Sequence, residues 1–223
     1  MDIKKISEVI SIIKKGKYKA FLVGGSTRDL LLSRDFNDVD IATNAPLSFI
    51  EKTFKVENDD GKSMGSIKIS YKNLVIEITK FRLEKYNEKS TFPKIDKFIE
   101  DPSEDAIRRD FTINAIYLDT TTNQIIDPYD GLKDLFSFKI KFIGDPKERI
   151  IQDPSRILRG IRLAYKLNFS IDEQTDLAFK ENVNELSRLS KGRFNKEIEK
   201  MEVELGENKT KAILQLYNIN KGE

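Results

Sequence analysis

The hydrophobic pattern of this chain changes character near residues 138–145, and that change limits what the chain can fold into. Before it, short apolar runs bounded by Gly, Asn and Asp alternate with helical spacings. From Pro146 onward the spacing is almost entirely helical. The 223 residues therefore read as a mixed α+β part followed by an all-α part, with the boundary in that stretch. Such a length supports a substantial core. Hydrophobic residues at 39% exclude wholesale disorder, and charged residues at 34% argue for a soluble chain. No apolar run approaches the ~18 residues that span a bilayer. Met1–Lys17 sets Ile3, Ile6, Ile10 and Ile13 at helical spacing among lysines, with no small-residue cleavage site, so it reads as an amphipathic helix and not a signal peptide. A cytoplasmic location is the default expectation.

Within the first part, Ala20–Val23 reads as a buried strand running into Gly24-Gly25, with Ser26 capping a short helix through Leu32. Asp38–Ala42 alternates polar and apolar and predicts a second strand. Pro46–Phe54 predicts a surface helix with Pro46 near its first turn. Ser66–Ser70 and Leu74–Phe81 predict a hairpin around Lys72-Asn73. Leu83–Lys97, charged and containing Pro93, reads as a mobile loop. Glu104–Asn114 is expected to be helical, Ala115–Leu118 and Gln124–Ile126 to be strands, and Asp127–Gly131 a turn. Helices are expected at Ser155–Leu167, Glu173–Asn182 and Arg193–Leu205. There is no internal repeat and no low-complexity tract.

Cysteine, histidine and tryptophan are absent. Disulfides, thiol nucleophiles, imidazole bases and nearly every zinc site built from Cys or His are thereby excluded. Carboxylates, Lys, Arg, hydroxyls and backbone amides remain, a set suited to Mg²⁺ and phosphate. With 39 Lys and Arg against 37 Asp and Glu, the net charge is +2. Any nucleic-acid surface must then be a local patch whose affinity falls as salt rises. Lys139, Lys141, Lys147 and Arg149, then Lys191, Arg193, Lys196 and Lys200, are candidates for phosphate contacts, although lysines among glutamates also suit a solvated face.

Four segments could carry chemistry. On a strand, Asp38 and Asp40 would point to one face, and converging carboxylates suit a pair of divalent ions for in-line attack on a phosphate. Alone, the pair also suits an acidic turn. Gly24 and Gly25, between strand and helix, would let backbone approach a ligand, with free N–H groups for an anion and Arg28 one turn in. An ordinary tight turn explains them too. Arg108, Arg109, Asp110 and Asn114 could hold phosphate and ribose hydroxyls together, or form a surface salt-bridge cluster. Asp153, Arg156, Arg159 and Arg162 fall near one helix stripe, where an acceptor beside a donor fork can match the edge of a base. A cap followed by a solvated basic face is the plain alternative. Gly61-Lys62-Ser63 resembles the end of a P-loop, but Val56 stands where the first glycine belongs, so a surface turn is expected.

Taken in order and at these spacings, the four segments resemble the class II tRNA nucleotidyltransferase family, which comprises CCA-adding enzymes and bacterial poly(A) polymerases on a polymerase-β-like head. The likeness runs from Tyr18 to Met201. Leu22–Thr43 looks like the catalytic motif, Arg108–Ala115 the ribose motif and Asp127–Leu132 the connector turn. Gln152–Arg162 is similar to the nucleotide-selecting helix, usually written Glu-Asp-x-x-Arg, with Gln152 in place of the usual Glu. Phe81–Lys97 resembles a flexible loop implicated in switching from CTP to ATP.

The resemblance implies a nucleotidyltransferase head with a mixed sheet over 1–138, a helical neck over 139–200, and the start of a shortened body over 201–223. It implies that Asp38 and Asp40 bind Mg²⁺ and organise a primer 3′-hydroxyl, and that Gly24, Gly25 and Arg28 hold triphosphate. Arg108, Arg109, Asp110 and Asn114 would contact nucleotide phosphate and ribose. Asp153 and Arg156 would select CTP or ATP, with Arg159 and Arg162 lining the same pocket. The implied reaction adds C-C-A to tRNA 3′ ends from CTP and ATP. A poly(A) polymerase or A-adding enzyme is the alternative within the family. Intact Asp38, Asp40, Arg109 and Asp153 speak against a non-catalytic RNA-binding relative. Glu77, on an expected strand, is either a third carboxylate or half of a cross-strand salt bridge. The absence of histidine excludes the metal-dependent HD phosphohydrolase module of some relatives.

Overall fold

The computed structural model describes residues 2–87 and 90–220, which divide into two units. The first comprises 1–85, 94–109 and 113–132; the second comprises 86–93, 110–112 and 133–223.

In the first unit, α1 (Ile3–Lys15) starts at Asp2, whose carboxylate accepts from the Lys5 N–H. Its spacing puts Ile6, Val9, Ile10 and Ile13 on one fully buried stripe. Each such side chain contributes about 1.5–3 kcal/mol of transfer free energy, which holds a helix too short to persist alone. The elements that follow are β1 (Ala20–Leu22), α2 (Gly24–Leu31), β2 (Asp40–Thr43), α3 (Leu47–Thr53), β3 (Lys55–Asn58), β4 (Ser66–Tyr71) and β5 (Leu74–Lys80). Next come β6 (Arg82–Lys85), β7 (Lys94–Phe98), α4 (Pro102–Asp105), β8 (Tyr117–Asp119) and β9 (Gln124–Ile126). The main sheet has the order β3-β4-β5-β2-β1-β8-β9, mixed because β2 and β5 run parallel while the other neighbours are antiparallel.

Alternation along the strands gives the sheet two unlike faces. Ile41, Ile67, Ile69, Ile76 and Ile78 share one core with the isoleucines of α1 and with Ile50 of α3. Asp40, Lys68, Glu77 and Thr79 alternate with them and so occupy the opposite face. The β4–β5 turn carries Lys72 and Asn73 at positive φ, as a two-residue hairpin turn requires.

Three local expectations are corrected. Ser26 does not cap α2: the helix begins at Gly24, and the Ser26 hydroxyl donates to the Val23 carbonyl while accepting the Asp40 N–H. The 83–97 segment is irregular only in part, since its two ends are strands and the described residues between them, 86–87 and 90–93, carry neither helix nor strand. β6 and β7 pair antiparallel, Arg82 opposite Phe98 and Lys85 opposite Lys94, with a Lys85–Asp96 ion pair. β7 is mostly exposed, so its charge reflects solvent rather than disorder. Residues 88–89 of that expectation lie outside the described ones. Glu104–Asn114 is not one helix either; α4 is followed by short 3₁₀ turns at Ala106–Arg108 and Thr112–Asn114, with extended backbone at Arg109 between them.

The chain passes into the second unit within α5 (Gly131–Phe136), which follows a turn where Asp127 accepts the Gly131 and Leu132 N–H groups. The second unit contains β10 (Lys139–Ile140), α6 (Pro146–Gln152), α7 (Ser155–Leu167), β11 (Ser170–Ile171), α8 (Glu173–Glu181), α9 (Lys191–Leu205) and α10 (Glu207–Leu216). It is helical as expected apart from the short parallel pair β10–β11. Phe111 stacks on Phe142, which meets Phe179 edge to face, and all three rings are buried. Gly160 of α7 lies so close that a Cβ there would sit 2.4 Å from Phe179 and 2.7 Å from Phe111, so only glycine fits. Among the described residues no helix is long and apolar enough to cross a membrane.

Candidate active site

The parallel pairing of β2 with β5 sets Asp40 beside Glu77, and the antiparallel pairing of β4 sets Lys68 on Glu77's other side. Asp38 lies in the segment entering β2, and Asp38, Asp40, Glu77 and Lys68 line one cavity of about 300 Å³. Burial, then the negative charge of Glu77, pushes the Asp40 carboxyl up to about 6; Arg109 opposes the shift and Asp38 adds to it. Carboxylates crowded this way repel one another, and a hard cation bound between them relieves that repulsion. The donor chemistry suits such an ion, since hard divalent cations take carboxylate oxygens, while the described residues bring no group of three or more such ligands together. Glu77 also accepts from the Ser66 hydroxyl at 2.7 Å and lies 3.8 Å from Lys68, so both readings of it have a structural basis.

Gly24 belongs to the same neighbourhood. Its φ of +68° favours glycine, and a Cβ there would lie 3.1 Å from Asp40 Oδ2 and 3.7 Å from Arg109 Nη1. No side chain caps α2, so its first-turn N–H groups remain available to an anion. Arg28 is buried. It grips Asp29 with Nε and Nη2 at 2.8 and 2.9 Å and donates to Asn114 Oδ1 at 3.0 Å. Gly25 sits against that guanidinium, with a Cβ position 3.5 Å from Nη2.

A residue not singled out from the sequence organises the arginine pair. Asp105, fully buried, accepts from Arg108 Nε at 2.7 Å, from the Tyr117 hydroxyl at 2.6 Å and from the Arg82 N–H at 2.8 Å, and lies 3.5 Å from Arg109. Burial would raise its pKa, but the charges of Arg108 and then Arg109 hold it below the usual carboxylate range. Arg109 also donates to the Tyr117 hydroxyl at 2.9 Å. The signal was present in the spacing, since Asp105 precedes the arginines by three and four residues. Asp110, next in sequence, falls in the second unit, where it pairs with Arg159 at 2.6 Å.

In the second unit Asp153 ends α6, and Arg156 lies in the first turn of α7. Arg156 donates to the Arg149 carbonyl at 2.8 Å, to Gln152 Oε1 at 3.2 Å and to the Tyr86 hydroxyl at 3.0 Å. Gln152 Oε1 also accepts from Arg149 at 2.7 Å, so one neutral oxygen still orients both guanidinium groups. Arg162 does not share these contacts: it turns to α9, 2.8 Å from Glu204 and 3.7 Å from Glu197. Two members of the proposed RNA-contacting set are committed elsewhere: Arg149 is buried on Gln152, and Arg193 bonds Asp153. A larger cavity of about 520 Å³, against Leu186, Leu189, Phe194 and Ile219, is lined by Lys191 of that set and by none of the candidate catalytic or nucleotide-binding residues.

Residues 20–141, more than half of the chain, match the family described as Poly A polymerase head domain. The chain belongs to that family. Its members are metal-dependent nucleotidyltransferases. The CCA-adding enzyme of Lactobacillus johnsonii is 39% identical over 201 residues, 90% of this chain and 50% of that protein. The crystal structure of Bacillus stearothermophilus CCA-adding enzyme in complex with CTP is similar with a TM-score of 0.85 and 30% identity, covering 98% of this chain and 53% of that one. A tRNA nucleotidyltransferase complexed with a primer tRNA and an incoming ATP analog gives a TM-score of 0.72 at 29% identity, covering 94% of this chain and 59% of that one. This chain thus spans about half the length of the curated relatives it matches. The expected α+β head, with its mixed sheet and flanking helices followed by a helical part, is the fold these family structures share.

Proposed function

We propose that this chain adds C-C-A to tRNA 3′ ends, using CTP and ATP, with residues 1–138 as catalytic head, 139–200 as nucleotide-selecting neck and 201–223 as the start of a body. The observation that carries the reading is the carboxylate face of the head, where Asp38, Asp40 and Glu77 line one cavity beside the uncapped start of α2. Relatives named CCA-adding enzymes, one of them bound to CTP, support the particular reaction.

In this reading Asp38 and Asp40 hold Mg²⁺, which when bound activates the primer 3′-hydroxyl and offsets charge at the α-phosphate. Gly24 and Gly25 let backbone N–H groups approach the triphosphate, and Arg28 braces that turn through Asp29 and Asn114. Arg108 and Arg109 supply positive charge for nucleotide phosphate, held in place by Asp105; Asn114 and Asp110 serve ribose. Asp153 accepts from the exocyclic amino group that cytosine and adenine share, while Arg156 donates to the adjacent ring nitrogen. Uracil and guanine present the reverse pattern and leave buried groups unpaired. Arg159 and Arg162 follow on the same helix, positioned by Asp110 and by Glu204. The reaction belongs to the cytoplasm in this reading.

The test supplies a tRNA lacking C-C-A with single labelled nucleotides and then both. Two C additions from CTP, followed by one A from ATP, are expected. Long A tracts without use of CTP would replace this reading with poly(A) synthesis.

A further inference from the structure

Arg193 stands in the first turn of α9, a helix capped by Ser190. Its Nη2 donates to Asp153 Oδ1 at 2.9 Å and to Ser155 Oγ at 3.2 Å. Its Nη1 donates to the Thr91 carbonyl at 3.0 Å and to the Thr91 hydroxyl at 2.8 Å. The guanidinium carbon also lies 4.4 Å from the centre of the Phe92 ring, although Phe92 is 58% exposed. One planar cation therefore joins the turn between α6 and α7 to the 91–92 segment. A lysine ammonium, a single point charge, cannot span both sides at once.

The Asp153 carboxylate is used unevenly. Oδ1 receives the Ser155 N–H at 3.1 Å, the Ser155 hydroxyl at 2.7 Å and Arg193 at 2.9 Å. A carboxylate oxygen has about two lone-pair directions, so these donors saturate it. Among the described residues, Oδ2 receives no hydrogen bond.

We infer that Arg193 is a positioning residue for base selection. By filling Oδ1 it orients the carboxylate so that Oδ2 is the acceptor offered to a nucleobase amino group, and through Thr91 and Phe92 it ties that orientation to the 91–92 segment. The inference rests on the reading of Asp153 given under Proposed function. A plain brace between α9 and the α6–α7 turn would change stability alone; a positioning residue changes which base is preferred.

Equilibrium binding of CTP and UTP to the full chain distinguishes the two, with thermal melting in parallel. The wild-type chain prefers CTP. Arg193→Ala is expected to lower the CTP:UTP affinity ratio roughly tenfold, the effect of one lost charge-assisted hydrogen bond. Arg193→Lys restores most of the ratio by keeping a cation on Oδ1. Phe92→Ala removes an exposed ring, leaves melting unchanged and lowers the ratio about two- to threefold, as a lost cation–π contact does; in an Arg193→Lys background it has no further effect. A wild-type ratio kept by Arg193→Ala, with melting alone lowered, overturns the inference. Should Arg193→Ala not fold, an unchanged ratio in Phe92→Ala overturns it equally. A wild-type chain that binds CTP no better than UTP refutes the reading of Asp153 itself, and the role of Arg193 falls with it.

Discussion

The carboxylate face of the first unit and the arginines of the second handle charge in opposite ways. On the sheet of the first, Asp38, Asp40 and Glu77 crowd like charges around one cavity, and the Asp40 carboxyl is pushed up to about 6. In the second, the arginines of α7 and α9 are satisfied within the unit: Arg156 on Gln152 and Tyr86, Arg159 on Asp110, Arg162 on Glu204, Arg193 on Asp153. Crowded like charge costs the apo protein stability and is relieved by a ligand; satisfied charge fixes geometry in advance of one. The difference separates side chains left in mutual repulsion from side chains already held by fixed partners.

The strongest way to break this contrast is the double substitution Asp38→Ala with Asp40→Ala. Nucleotide incorporation is expected to fall at least roughly a thousandfold, since several kcal/mol of transition-state charge stabilisation is lost, while the melting temperature holds or rises. Full incorporation by this variant would refute the assignment of the acid pair.

Asp105→Asn probes the satisfied kind of carboxylate. Removing one partner from a buried ion cluster is expected to cost about 3–5 kcal/mol in denaturant unfolding. The sign with pH follows from its lowered folded pKa: the wild-type contribution is complete above the ordinary carboxylate range and is lost as pH falls toward the folded value. The variant should therefore show a flatter loss of stability in acid than the wild type.

A smaller effect is expected from Arg162→Met, about 1–2 kcal/mol of stability from the partly buried pairs with Glu204 and Glu197. The CTP:UTP affinity ratio should stay at its wild-type value. A changed ratio would place Arg162 with Arg156 and Arg159 in base selection and blur the contrast between brace and reader.

Much of this was legible in the chain. The hairpin expected from Ser66–Ser70 and Leu74–Phe81 carries Ile67, Ile69, Ile76 and Ile78 on a common face, and the isoleucines at helical spacing in Met1–Lys17 form the helix that shares their core. Segments whose conformation is set by distant partners were not legible. Strand β7, mostly exposed and charged, read as a loop because pairing with β6, not burial, makes it a strand. Ser26 looked like a cap because nothing local shows that the Asp40 N–H needs its hydroxyl.

The sequence by itself determined which chemistry was possible. Without Cys or His, carboxylates, cations, hydroxyls and amides remained, and the order of the charged and glycine motifs along the chain carried the family resemblance. Tertiary structure decided how each charge is used. Neutralisation depends on neighbours brought together by strand register and helix packing: Asp40 beside Glu77 across two parallel strands, Arg162 against Glu204 forty-two residues later. Coulomb interactions act through space over a few ångströms, so composition set the supply of charge and folding set its pairing.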